Sequence, residues 1–262
     1  MGQAPHGHRS SLASINGRDI RLTIEEGRNT LVDIPPALAA ELDGPLAEPI
    51  SLVDIADLSA GDRAAVPSWW LEAAEKPGRE AVVHALAQWD EVLPGMLPKF
   101  TAQLAKAGVA IHVGRSEAKP ILAYVLTGDS GPVCWYGYPP SVQLRHPTLD
   151  LGRLPSKIRA LYTGLHDGFK RATAFENGFP ASTELFPVRQ YGSQAEFEIG
   201  GDRIPDLDAL VPIFFDWAGA SICVELGDHD SRAGWHWSEA SLRPYSDFWE
   251  VADNWIMSML GR

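Results

Sequence analysis

The stretch Leu154-Pro155-Ser156-Lys157-Ile158-Arg159-Ala160-Leu161-Tyr162-Thr163-Gly164-Leu165-His166-Asp167-Gly168-Phe169 decides how the rest of the chain is read. It opens with a proline, whose missing N–H costs nothing in a first helical turn, where that N–H has no partner. Ile158, Leu161, Tyr162 and Leu165 recur at spacings of three and four, so one face of a helix here is apolar. Gly168 can take the left-handed conformation that closes a helix. The stretch predicts one amphipathic helix with a proline at its start and a glycine stop.

Outward toward the C-terminus, Leu185 to Tyr191 reads as a strand. Ala195-Glu196-Phe197-Glu198-Ile199 reads as another, whose alternation turns Phe197 and Ile199 inward and the glutamates to water. A short helix is expected from Leu207 to Trp217, then a strand from Ser221 to Leu226. The polar turn Asp228-His229-Asp230-Ser231 leads to a returning strand over Gly234-Trp235-His236-Trp237. Ser246-Asp247 caps a last helix with an apolar stripe of Phe248, Val251, Trp255 and Met259.

Outward toward the N-terminus, the apolar period is first that of strands and then that of helices. Val109–Val113, Ile121–Thr127 and Val133–Tyr138 are rich in β-branched and aromatic residues, with Gly128-Asp129-Ser130-Gly131 as a hairpin loop. Before them come a helix from Leu97 to Ala107, and one from Arg79 to Val92 with Val82, Val83, Leu86 and Trp89 on one side. A helix from Trp69 is capped by Ser68, with Glu72 placed for a capping box. Pro35-Pro36 opens a short helix through Leu42, and Ile15 to Ile34 alternates weakly as one or two strands. This order predicts an α+β fold, mainly an antiparallel sheet flanked by helices, and no alternating βαβ units. The expected division is a flexible tail over 1–14, an N-terminal α+β region over 15–150 and a C-terminal domain over 151–262.

Composition narrows the function. The chain of 262 residues is 45% hydrophobic and carries nine tryptophans, so it can bury a large core. No apolar run approaches the ~20 residues that cross a bilayer, and Met1–Ser14 has no apolar segment of a secretory signal, so a cytoplasmic location is expected. Cys134 and Cys223 each lie in an apolar strand-like run and read as buried reduced thiols. The net charge of −12 argues against direct binding of nucleic acid and for a basic partner. Between Gln190 and Ser231 nine carboxylates face the single base Arg203, a local net charge of −8.

The Leu-Pro helix ending Gly168-Phe169, the segment Leu185-Phe186-Pro187-Val188, the strand Ile222-Cys223-Val224-Glu225-Leu226 with its Gly227-Asp228 turn, and the closing Phe248-Trp249 helix together resemble the SUKH (Smi1/Knr4-like) superfamily. The resemblance covers residues 150–262, and 1–150 carry no motif of that family. It implies an α+β fold whose open sheet face receives a toxin domain. It implies an immunity protein that neutralises a cognate secreted toxin, with no catalytic residues and no cofactor.

The residues expected to bind such a toxin are Glu196, Glu198, Asp206, Asp208, Asp228 and Asp230. They present carboxylates to a lysine- and arginine-rich protein, such as a nuclease that must itself hold phosphates. The plain alternative is a solvated acidic face. Asp228, His229, Asp230 and His236 are residue types that bind zinc, but their spacing matches no zinc signature, and a polar hairpin turn accounts for the acids. Trp235, Trp237, Trp249 and Trp255 read either as an interface anchor or as core against the last helix. The adjacent pair Trp69-Trp70 points two ways on a helix, so one of the two is expected to be exposed. No Gly-x-Ser-x-Gly, phosphate loop, Gly-x-Gly-x-x-Gly or His-Glu-x-x-His occurs, so no metal or catalytic residue is assigned. A scaffold or regulatory binding protein, and an enzyme without a linear motif, are the alternative functions.

Overall fold

A computed structural model describes residues 12–15, 18–21, 50–116, 119–129, 131–172, 177–193, 196–216, 218–227, 234–245 and 247–260. The expected helix at Pro35–Leu42 and the turn at Asp228–Ser231 lie outside these residues. Strands β1 (Leu12–Ile15) and β2 (Arg18–Arg21) pair antiparallel, so a hairpin begins inside the stretch expected to be a loose tail.

All other strands join one sheet of eleven. Its first part is β3 (Ile50–Leu52), β4 (Gly108–Ser116), β5 (Lys119–Gly128) and β6 (Gly131–Gly137), all antiparallel. The narrow β7 (Phe169–Arg171) and β8 (Gly178–Phe179) continue it. Then follow β10 (Leu210–Phe215), β11 (Ser221–Glu225), β12 (Gly234–Ser238) and β13 (Ser241–Tyr245). β9 (Glu198–Ile199) closes the far edge and is parallel to β13. The sheet is therefore mostly antiparallel in an α+β fold. Because β6 pairs with β7, it runs without a break across residue 150.

Among the described residues the helices are α1 (Ala60–Ala65), α2 (Ser68–Ala74), α3 (Gly78–Val92), α4 (Pro98–Ala107), α5 (Ser156–Ala160) and α6 (Phe248–Leu260). The alternation of each strand sorts its side chains between faces. Leu122, Tyr124 and Leu126 of β5 enter the large cluster that also holds Trp70, Trp89, Phe100, Ile158 and Ile256 from the helices. Ile121, Ala123 and Val125 face the other way, with Cys134 and Tyr136. Every residue from Ile121 to Leu126 is buried, so β5 is covered on both faces, as its unbroken apolar run requires. Under β10–β13 a third cluster holds Val188, Leu207, Leu210, Cys223, Trp235 and Leu242. Both cysteines are buried.

Several local expectations need correction. The helix after Pro155 is α-helical only through Ala160; Leu161–Leu165 widen into a π turn, with His166 N donating to Leu161 O at 2.9 Å. Gly168 does take a positive φ, +93°, and a side chain there would meet the Ala181 backbone at 2.8 Å. Leu185–Tyr191 is not a strand: Ser182–Glu184 and Val188–Tyr191 are 3-10 turns. Pro187 has no N–H for a ladder, and the buried Leu185 and Val188 repeat at three, the 3-10 period. Leu207–Trp217 is not a helix, since Leu210–Phe215 forms β10. A six-residue apolar run with Pro212 inside suits a buried strand, and the register shifts between Pro212 and Phe214, a bulge that accommodates the proline. Ser68 lies inside α2, whose cap position is Pro67 with no side-chain cap. On α3 the buried face is Ala81, Val82, Ala85 and Trp89, while Val83 is 60% exposed.

Candidate functional site

Glu196, Glu198, Asp206 and Asp208 are all exposed, and the residues between them explain why. Phe197 and Ile199 pack against the cluster around Cys223, Trp235 and Leu242, and Leu207 belongs to it. The chain dips into that cluster and out again, so the four carboxylates ride on its outer rim. Asp228 and Asp230 lie outside the described residues.

The rim is less negative in space than along the chain. Glu198 Oε1 meets Arg243 Nη2 at 3.3 Å, and Asp208 Oδ1 meets Arg189 Nε at 3.3 Å. Arg203 pairs with Glu225. Two of these three arginines lie outside the acidic stretch of sequence. The Glu198 and Asp208 pairs are exposed, so each contributes at most about 1 kcal/mol and a binding partner can replace them. Glu196 has no cation partner among the described residues. Its Oε2 accepts from Ser193 N at 2.5 Å and Ser193 Oγ at 2.8 Å, and these bonds hold its carboxyl below the usual range. Asp206 Oδ1 accepts from Asp208 N at 3.0 Å, which orders the turn before β10.

Five aromatic rings lie beside this rim. Phe186 and Tyr191 are 4.9 Å apart between ring centres, and Tyr191 and Trp237 5.0 Å. Phe215 lies 6.3 Å from Phe186, and Phe197 lies 6.4 Å from Trp237. Tyr191 is 63% exposed and the other four are half-buried. They come from three stretches of chain, Phe186 to Phe197, Phe215 and Trp237, and only the alternation at Phe197 and Trp237 carried any signal.

Trp69, Trp70, Trp235 and Trp249 are buried in the core. Trp235 and Trp237 share a face as expected, but it is the face of the third cluster, not that of the last helix. His236 points the opposite way, 5.6 Å from Trp255 of α6. Trp249 is buried, and Trp255 packs 6.0 Å from Phe214. Trp69 and Trp70 are both buried, contrary to expectation, because α2 is covered on two sides. Both meet the imidazole of His166, at 5.9 and 5.4 Å.

That imidazole is the centre of a sealed polar group. Tyr124 Oη accepts from Trp89 Nε1 at 3.2 Å and lies 2.7 Å from His166 Nε2. Burial holds the pKa of His166 down to about 3, with the nearby Tyr138 carbonyl opposing weakly. It is completely buried, so it reaches no substrate.

A cavity of about 470 Å³ opens where α4 and α6 begin, lined by Met96, Leu97, Lys99, Lys157, Trp249 and Glu250 among others. Its two helix N-termini are already satisfied. Asp253 accepts from Lys99 N and Phe100 N at 2.8 Å each, and Asp247 accepts from Trp249 N at 3.0 Å. Among the described residues no three His, Cys, Asp or Glu side chains gather as a metal site. No family model, no curated protein and no solved structure matches this chain.

Proposed function

We propose that this chain is a binding protein, an immunity protein of SUKH type that covers a cognate secreted toxin and blocks its active site. The observation that carries the reading is the exposed rim of Glu196, Glu198, Asp206 and Asp208 around one hydrophobic cluster. Carboxylates spaced along an ordered edge attract a cationic protein and speed the encounter. A nuclease-type toxin, which must be basic to hold its substrate, is the partner such a rim suits. The inhibition is steric and needs no cofactor. The toxin acts in the cytoplasm, where the inhibitor meets it. No helix among the described residues is long and apolar enough to cross a membrane.

The test is genetic. The C-terminal domain of a large secreted protein encoded next to this chain is expressed alone and together with it. Growth arrest by the domain alone, relieved by co-expression, is the expected result. A neighbouring gene with no such domain, or arrest that persists with this chain present, overturns the reading.

A further inference from the structure

Resting on that reading of the rim, we infer that the ring group of Phe186, Tyr191, Phe197 and Trp237 is the anchor of the interface. The side chain it receives is an arginine on a basic protein surface. Exposed aromatic surface is costly, and Tyr191 stands 63% exposed against Phe186 and Trp237 rather than folding inward. Trp237 Nε1 is already satisfied by Glu239 O at 2.8 Å. The rings therefore have their faces to offer, and faces attract cations. A carboxylate converges on the same place: a Cβ on Gly192, next to Tyr191, would lie 3.2 Å from Glu196 Oε2 and 3.4 Å from Phe197 Cε2. Glu196 is held there by Ser193 and has no cation of its own among the described residues.

A cation over the rings with one carboxylate beside them is the environment a guanidinium fills best. It is planar, stacks on aromatic faces, stays charged and binds a carboxylate through two parallel N–H groups. An ammonium has a larger hydration shell to lose and no plane to stack. A phosphate-bearing ligand is repelled by the rim carboxylates. The half-buried rings form an apolar spot with the Glu196 carboxylate at its edge, the pairing of apolar centre and polar rim found in protein interface hot spots.

The experiment measures fluorescence anisotropy of labelled nona-arginine and nona-lysine peptides with the full chain. The arginine peptide binds more tightly than the lysine peptide. Tyr191→Ala, on an exposed side chain, weakens arginine binding about tenfold and lysine binding less; Trp237→Phe, which keeps a ring, weakens it less than Tyr191→Ala. Asp90→Asn with Glu91→Gln, on α3 against the β4 half of the sheet, leaves both affinities unchanged. Equal binding of the two peptides, wild-type affinity in Tyr191→Ala, or an equal loss in the α3 control overturns the anchor. If Glu196→Gln with Glu198→Gln weakens binding while Tyr191→Ala does not, the anchor falls and the acidic rim stands. If neither changes it, both fall.

Discussion

His166 shows how much a single buried side chain commits. Trp69, Trp70, Trp89, Tyr124 and Phe169 surround it with ring centres at 5.4–6.0 Å. Its pKa of about 3 in the folded chain lies below the ordinary 6.5. Between those values the unfolded chain binds a proton that the native chain refuses. Stability therefore falls as pH drops through that window, by at most about 1.4 kcal/mol per pH unit from this group, and is unaffected by it above. The expected result is a native imidazole whose ¹⁵N shifts do not titrate down to about pH 4; a native transition near pH 6 would contradict the burial of this ring. Gly137 faces the same ring. A methyl there would stand 2.3 Å from His166 Cγ, so Gly137→Ala is expected to cost about 1–3 kcal/mol by overpacking, read as a lower thermal midpoint. Gly168 reads in the sequence as a helix stop, but the chain already leaves the helix at His166 in an extended conformation, and what requires glycine at 168 is its positive φ and the close Ala181 backbone. Gly137 was not legible, because its constraint comes from a side chain 29 positions away.

At the scale of elements, α6 does more than cover the sheet. The buried Asp253 accepts from the first two N–H groups of α4, whose own cap residue Leu97 is left-handed and offers no side-chain cap. Asp253→Ala leaves those donors unpaired and is expected to cost about 1–3 kcal/mol, seen as a lower urea midpoint with an unchanged slope. Asp247, the cap of α6 itself, followed from the usual residue preference at a helix start. Asp253 did not, since a mid-helix aspartate reads as solvated until another helix is placed over it. The errors at Leu185–Tyr191 and Leu207–Trp217 have the same root. Both are short apolar runs where tertiary cover, and not local period, decides between turn, helix and strand.

At the scale of the molecule, the large cluster takes residues from Leu58 to Leu260, and the sheet passes residue 150 through the β6–β7 pair. Chemical unfolding is therefore expected to give coincident transitions by tryptophan fluorescence and far-ultraviolet circular dichroism; two resolved steps would show that the halves part separately. The rim carries the second prediction. Charge reversal at Glu196, Glu198, Asp206 and Asp208 weakens toxin binding, more so at low salt, where screening is least. Unchanged affinity in all four would remove the electrostatic mechanism. Reversing Glu198 or Asp208 should cost at least as much as reversing Glu196, because it also releases Arg243 or Arg189 as an unpaired cation facing the basic partner.

The amino-acid order by itself determined the α+β class, the meander of β4, β5 and β6, the helices α3, α4 and α6, and the outward set of Glu196 and Glu198. Each of these is written in a local period that a neighbour in sequence can complete. Only the tertiary structure decided that the eleven described strands make one sheet, that Arg189 and Arg243 return to the acidic rim, and that Phe215 and Trp237 join Phe186, Tyr191 and Phe197 beside it. Those contacts join residues whose separation along the chain leaves no repeat to read, and they exist because burying the two faces of the sheet brings the segments together.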